Sequence, residues 1–375
     1  MHKIVNFYGI GKPGTGYGDA CLNIARAFEK SSVDVNFNFS RFKKIAESNN
    51  ISGSNIEGDI NFFIGPPPYI GPNNKSIVLS RNKYNIVYFY WEADRLPAYW
   101  KKHILSANEV WAPCKLVRDA CIKMGFLGKI REVPTPYEDI ASLNSDMIDI
   151  PSQISNEYFV SEDVFKFYSI FQWHHRKGPD VLLKSYWKSF DKNDSVILIL
   201  KVSELGLPGY KKNDIRNDIY KIKSRLNLKY YPPVFVIDDF LPKKYIRAIH
   251  DTADCYVSPH RGEGWGMPIS EAILHNNPVL ITKYGGISDY LDKNTAGIIR
   301  HKMTPVRNME WSPKIYNKSQ MWAEPSINIT SHLMRDAYDN FNKYKIKAGF
   351  ARNVIKDFSI KNLSKKIEGY ICEID

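Results

Sequence analysis

Short runs of β-branched and aromatic residues alternate with amphipathic stretches along most of these 375 residues, and this alternation constrains the fold more than any single motif. Residues 4–8, 33–39, 60–64, 86–90 and 109–112 predict strands, and 19–28, 97–106 and 115–124 predict helices. After a polar, poorly periodic stretch at 144–156 the pattern restarts. Strands are then expected at 164–171, 196–200, 234–237, 255–257 and 278–282, with helices at 179–190, 214–226, 243–250 and 268–274. The tail of about 60 residues reads as mostly helical. Strand–helix alternation requires parallel sheets covered on both faces. The expected fold class is therefore α/β, with two Rossmann-like doubly wound domains, 1–150 and 151–355, facing a cleft. A helix at about 356–375 is expected to cross back to the first domain. In such sheets ligands lie beyond the carboxyl ends of the strands, so loops that follow strands are expected to carry the chemistry.

Charge and composition narrow the partners. Lys and Arg total 52 against 40 Asp and Glu, a formal net charge of +12. With 43% hydrophobic and 25% charged residues the chain is neither disordered nor collagen-like. The positive excess calls for an anionic partner: nucleic acid, a phosphorylated substrate or a membrane surface. Residues 1–150 carry +3 and the remainder +9, so the surplus lies in the second half and includes a lysine-rich stretch from Lys201 to Lys244. No nucleic-acid-binding motif accompanies it, so nucleic acid is not the expected partner. The five cysteines are scattered and lack a Cys-x-x-Cys, which excludes a disulfide framework and a zinc knuckle; Cys114 and Cys121 are expected on one buried helix face. Residues 1–11 read as a strand reaching a glycine turn rather than a signal peptide, and no run reaches the ~18 apolar residues of a membrane span. A cytoplasmic protein is expected, at most peripheral at the inner face of a membrane.

Two glycine-rich loops follow strands. Gly9-Ile-Gly11-Lys12-Pro13-Gly14 is a literal G-x-G-x-x-G, but the acidic residue that a dinucleotide site wants near Ser40 is missing. Asp34 opens that strand, Arg41 follows it, and Pro13 removes an amide. Gly14, Thr15 and Gly16 are better read as a flexible loop whose amides meet an anion or an acceptor, before a helix starting near Gly18 or Asp19. The stronger signal runs from Ser258 to Glu271 (SPHRGEGWGMPISE), directly after a strand. Pro268 suits the first turn of a helix, which leaves Glu263 in the loop and Glu271 about one turn into the helix. Free helix-start amides favour a phosphate, whereas two carboxylates accept hydrogen bonds and repel one. A ligand with both hydroxyls and a diphosphate, as in a nucleotide-sugar, resolves that conflict.

Glu263-x7-Glu271, followed by Asn277-Pro278-Val279 and Gly285-Gly286, resembles the retaining glycosyltransferases of family 4, which have the two-Rossmann GT-B fold. The resemblance covers most of the chain. WEADRLP at Trp91–Pro97, EVWAP at Glu109–Pro113 and Val133-Pro134 look like the family's N-terminal domain. RKGPD at Arg176–Asp180 looks like its diphosphate-binding turn, and MWAEP at Met321–Pro325 with Leu333-Met334-Arg335 resembles the tail segment of a bacterial branch. The resemblance implies that Glu263 meets hydroxyls of the donor hexose and Glu271 the nucleotide ribose. It places the amides of Gly264, Trp265, Gly266 and Met267 at the sugar and phosphate seat, with the Trp265 side chain shaping that pocket. Arg176 and Lys177 would neutralise the diphosphate, with Arg176 standing in for the family's other cation, whose position holds Gln172. Phe240 and Leu241 fall where the family packs the base, unless they are plain core.

Where many relatives have a His near the reacting carbon, this chain has Trp91, followed by Glu92, which leaves Glu92, Asp94 or substrate atoms alone to serve the acceptor; an acidic residue there could act as a base. Asp94 reads equally well as a surface partner of Arg95. His174, His175 and His260 have no metal-ligand spacing and receive no role, and the chain has no strict Asp-x-Asp. No metal site and no cofactor are expected, cations and helix amides stabilising the leaving diphosphate instead. The expected activity is retaining hexosyl transfer from a nucleotide-diphosphate sugar to a glycan, lipid-linked or other hydroxyl acceptor, in surface polysaccharide or glycan synthesis. A sugar-nucleotide epimerase, or an inactive sugar-nucleotide-binding protein, are the competing readings on the same fold.

Overall fold

In the computed structural model the alternation becomes two parallel six-stranded sheets, described over residues 3–11, 14–37, 48, 50–54, 56–69, 82–138, 163–204, 214–309 and 312–374. The expected linker at 144–156 with its 150/151 boundary, Lys12 and Pro13, Ser40 and Arg41, and the middle of the lysine-rich stretch (205–213) lie outside these residues. The chain divides into two compact units, Met1–Leu143 with Lys356–Asp375, and Asn144–Ile355.

The first unit contains β1 (Ile4–Gly9), α1 (Gly16–Glu29), β2 (Asp34–Asn36), β3 (Ile60–Ile64), β4 (Tyr84–Tyr88), α2 (Lys101–Ile104), β5 (Glu109–Ala112), α3 (Lys115–Met124) and β6 (Lys129–Glu132). Its strands are all parallel in the order β2-β1-β3-β4-β5-β6. The order reverses between β1 and β3, so the loop after β1 lies at a switch point of the sheet. Helix α1 starts at Gly16, not at Gly18 or Asp19, because Thr15 serves as its cap: its hydroxyl accepts the Gly18 N–H at 3.2 Å. The helix expected at 97–106 is a 3₁₀ turn, Ala98–Trp100, running into the short α2. Cys114 occupies the residue just before α3 without a capping hydrogen bond, and both Cys114 and Cys121 are buried.

The second unit contains β7 (Phe165–Gln172), α4 (Pro179–Ser189), β8 (Val196–Ser203), α5 (Asp214–Ser224), β9 (Val234–Ile237), α6 (Lys243–Thr252), β10 (Cys255–Ser258), α7 (Met267–Leu274), β11 (Val279–Thr282), β12 (Gly297–Ile299), β13 (His301–Pro305), β14 (Met321–Pro325), α8 (Ile327–Asp339) and α9 (Phe341–Ile355). The sheet is parallel in the order β12-β11-β10-β7-β8-β9, and β13 pairs with β14 as a separate antiparallel ribbon. Strand β8, one in from the edge, is buried along nearly its whole length, the mark of a strand covered on both faces. The chain runs outward from β7 to β9, then returns to the other side of β7 for β10, so the switch point lies between β7 and β10. There the ladder is short. Strand β7 pairs with β8 over its full length but with β10 only at Phe167 and Tyr168, opposite Cys255 and Tyr256. Beyond that point the Tyr256 hydroxyl bonds both the N–H and the C=O of Ile170 in place of a neighbouring strand. The ladder between β7 and β10 thus stops short of their carboxyl ends.

The last helix, α10 (Ile360–Cys372), belongs to the first unit, where it packs on α1. Ser359 caps it, and Leu363, Ile367 and Ile371, spaced four residues apart, form its buried stripe.

Candidate active site

The site grows from the two loops that follow β7 and β10. After β7 the chain makes a 3₁₀ turn at His175–Lys177 and enters α4 through Gly178 and Pro179. Gly178 has φ +71° and lies against the neighbouring loop: a Cβ there would come 2.0 Å from the Pro259 carbonyl oxygen. Only glycine allows the two loops to approach so closely. After β10 the loop runs from Pro259 to Gly266, where α7 begins with Met267 and Pro268. The Gly266 carbonyl already accepts the N–H groups of Ile269 (2.9 Å) and Ser270 (3.0 Å), and Pro268 has no N–H, so Met267 is the first-turn residue whose amide faces the loop without an intrahelical acceptor. The loop is seated by Gly285 and Gly286. The Gly286 N–H donates to the Glu263 carbonyl at 3.1 Å, and a Cβ on Gly285 (φ +90°) would meet that same oxygen at 1.9 Å.

These contacts bring Lys177 and Glu263 together, the ammonium donating to the carboxylate in a largely buried ion pair. Burial alone would raise the pKa of Glu263. The charges of Lys177 and then Arg176 reverse this and hold it at about 2, so the carboxylate is an acceptor at any physiological pH. Arg176 is itself buried and donates to the Gly262 carbonyl at 2.7 Å, holding the glycine loop from beneath. Glu271 projects from α7 with its side chain 29% exposed. Its pKa is lowered against the effect of burial, by His250 first and then by Lys243. His260 is buried between the Ser258 hydroxyl and the Tyr284 carbonyl, and burial brings its pKa down to about 4. Burial also brings His175 to about 4 and lowers His174 well below its ordinary value. All three are neutral and add no charge for a phosphate.

One residue that the sequence left without a role ties the site together. Arg261 is 1% exposed and donates from every N–H of its guanidinium: to both carboxylate oxygens of Asp180 (2.8 and 3.0 Å), both of Glu324 (2.8 Å each) and the His175 carbonyl (2.7 Å). Its backbone N–H donates to the Arg176 carbonyl, and its carbonyl accepts from Ala323. Three motifs quoted separately from the sequence, RKGPD, RGEGWG and WAEP, thus meet at one guanidinium.

The remaining expected residues divide by unit. Trp265 is 2% exposed, its ring 5.1 Å from that of Tyr290. Phe240 is 73% exposed, which excludes the plain-core reading for it, and Leu241 is half-buried, both just ahead of α6. Glu92, Asp94, Gly14, Thr15 and Gly16 belong to the first unit. Trp91 is a buried core residue whose indole N–H donates to the Arg95 carbonyl, and Asp94 pairs with Arg95 at 3.7 Å and Lys123 at 3.8 Å. The Gly14 N–H donates to Asp19 at 2.9 Å, so this loop is closed on its own helix. Among the described residues no three His, Cys, Asp or Glu are grouped to hold a metal ion, and no helix is long and apolar enough to cross a membrane.

Residues 152–305, which contain Lys177, Glu263 and Glu271, match the family model of the glycosyl transferases group 1. The chain carries a glycosyltransferase domain. No curated protein matches it in sequence. Among solved structures it is similar over its whole length to HepE of Anabaena in complex with UDP and glucose, with a TM-score of 0.67 at 13% identity and 100% of each chain covered. HepE in complex with UDP-glucose gives 0.66 at 14% identity, covering 99% of this chain and 100% of that one. An E. coli structure described as trehalose-6-phosphate bound with UDP-2-fluoro glucose gives 0.65 at 10% identity and 99% of each chain. The two parallel sheets are those of the GT-B glycosyltransferase fold.

Proposed function

We propose that the protein transfers a hexose, with retention at the anomeric carbon, from a uridine-diphosphate sugar to a hydroxyl of a glycan or lipid-linked acceptor. The observation that carries this reading is the Lys177–Glu263 pair at the β7/β10 switch point, inside the segment that matches the glycosyltransferase family. Glu263, ionised and anchored, accepts hydrogen bonds from hexose hydroxyls. Lys177 faces both that carboxylate and the leaving diphosphate, and with Arg176 and the amides of Gly264 to Met267 it stabilises the charge that develops as the anomeric bond breaks. Glu271 takes the ribose, and exposed Phe240 with Leu241 covers the base. Uridine is chosen because the HepE and E. coli structures were solved with UDP or its sugars. Retention follows the family 4 resemblance. The first unit is assigned the acceptor, with Glu92 as its candidate base and the Gly14–Gly16 loop at the acceptor or diphosphate. Transfer needs no metal or cofactor in this reading. A cytoplasmic enzyme of surface polysaccharide or glycan synthesis, working at the inner face of a membrane, would use the surplus positive charge.

Labelled UDP-sugars offered with hydroxyl acceptors test the reading. Transfer with retained anomeric configuration, read by NMR, is the expected result; interconversion of free donor without transfer would make the protein an epimerase, and binding without turnover a non-catalytic sugar-nucleotide protein. In Lys177→Ala, kcat at saturating donor is expected to fall by roughly 10²–10³, the loss of one preorganised charge-stabilising donor. Unchanged turnover would remove Lys177 from the mechanism.

A further inference from the structure

Helix α6 carries a histidine that is 1% exposed and takes no part in the chemistry assigned so far. His250 Nδ1 lies 2.8 Å from the Tyr168 hydroxyl, and its Nε2 lies 3.7 Å from Oε2 of Glu271 with no hydrogen-bond partner of its own. The protonation pattern can be worked out from the neighbours. The Asn277 side-chain nitrogen donates to two acceptors, the His250 carbonyl and the Tyr168 oxygen (2.9 Å). Turning that amide over would set its oxygen against the His250 carbonyl, acceptor facing acceptor, so its orientation is fixed. The Tyr168 oxygen therefore accepts from Asn277 and gives its own hydrogen to His250 Nδ1. A neutral imidazole with a bare Nδ1 carries its proton on Nε2. Oε2 of Glu271, at 3.7 Å, is the carboxylate oxygen beside that N–H, just outside hydrogen-bond distance.

The ring cannot easily turn away. Tyr168 packs edge-on at 5.4 Å between centroids, and His275 stacks on the ring at 5.1 Å, itself held by the Asp251 carboxylate at 2.6 Å. A fixed N–H donor behind a half-exposed carboxylate leaves the other carboxylate oxygen for a ligand, in one direction. We infer that His250 is a positioning residue: its Nε2–H holds Glu271 so that the carboxylate accepts from the ribose hydroxyls of the nucleotide. The inference rests on Glu271 being the ribose contact, as proposed above, but not on the identity of the base. It makes recognition of the sugar hydroxyls a property of the relay Asn277–Tyr168–His250–Glu271, anchored on β7, α6, α7 and the turn after α7.

Calorimetry on the full chain with UDP, GDP and ADP, and with their 2′,3′-dideoxy counterparts, tests it. Glu271→Ala is expected to lose about tenfold or more in affinity for the preferred ribonucleotide, and to bind the dideoxy form as the wild type does. His250→Leu is expected to lose about three- to tenfold, again only for the ribonucleotide, and His250→Gln, which can place an N–H where Nε2 was, to recover most of it. Tyr168→Phe keeps the ring and removes the hydroxyl that sets the tautomer, so it serves if His250→Leu does not fold; it is expected to shift the same preference in the same direction. Equal losses on both nucleotide forms would reduce His250 to packing and overturn the inference. So would His250→Leu and Tyr168→Phe binding like the wild type while Glu271→Ala is impaired. A Glu271→Ala protein that keeps full preference for ribonucleotides would instead overturn the ribose assignment itself, and failure of all three diphosphates to bind the wild type would overturn the nucleotide-sugar reading.

Discussion

The Glu263 carboxylate sits largely out of water, where burial favours the neutral acid, and the charges of Lys177 and Arg176 outweigh that and hold its pKa at about 2. The stability linked to this depressed value is fully present above the unfolded pKa of about 4.3 and is lost as the pH falls through the folded value. Replacing Lys177 by Ala removes the nearest compensating charge, so the variant's Glu263 protonates at a higher pH than the wild type's. At pH 7 Lys177→Ala should therefore be less stable than the wild type, and the gap should narrow in acid, by roughly half or more on reaching pH 3, because the variant's Glu263 protonates first and no longer carries an uncompensated buried charge, while the wild type's is still ionised. Urea unfolding of the two proteins at pH 7, 5, 4 and 3 measures it. A gap that stays constant across that range would show that Lys177 does not govern the ionisation of Glu263.

At the level of elements, Arg261 is the tie between the β7–α4 turn, the β10–α7 loop and β14. Breaking a buried ion pair by removing one partner costs about 3–5 kcal/mol, much of it from the charges left behind. Arg261→Met leaves Asp180 without its guanidinium partner and Glu324 with only the exposed Arg307 (3.1 Å), and is expected to destabilise by about that amount, with Arg261→Lys intermediate because one ammonium cannot reproduce two bidentate contacts. Chemical denaturation measures the loss; a value within about 1 kcal/mol of the wild type would mean that the loops are held by something else. The tie also marks where sequence reading reaches its limit. Strands β3, β5 and β9 were legible to the residue because apolar runs bounded by turn residues define them, and Glu263-x7-Glu271 was legible because one loop and one helix carry it. Arg261 meets Asp180 and Glu324 across 81 and 63 residues, and His250 meets Tyr168 across 82, distances over which spacing carries no signal. Charged β6 and the β13–β14 ribbon escaped for another reason: they lack the apolar runs that identify buried strands.

For the molecule as a whole, the chain's division into units is not the division of its sequence into halves, because α10 completes the first unit from the far end of the chain. Ile360, Leu363, Ile367, Ile371 and Ile374 are buried there. Tyr137 joins Ser359 in a β-bridge, exchanging backbone hydrogen bonds with Phe358 and Ile360. Arg131 reaches across from β6 to Glu373 at 2.8 Å while its other side holds buried Glu109, and its guanidinium lies 4.3 Å from the Tyr370 ring centroid. Five such aliphatic side chains at about 1.5–3 kcal/mol each amount to roughly 7–15 kcal/mol of burial before the entropy of ordering the helix is subtracted. That is comparable to the whole stability of a typical domain, about 5–15 kcal/mol. Ending the chain at Ile355 should therefore unfold the first unit, whereas the donor residues, from Arg176 to Glu324, lie in the second and keep their contacts. The expected outcome is a chain that still binds the nucleoside diphosphate by calorimetry but transfers no sugar, with amide exchange fast over 3–138 and slow over 163–204. Protection of 3–138 that matches the intact chain would show that α10 adds to a core already sufficient without it, and would move the basis of the first unit's stability to β1–β6 and α1–α3 alone.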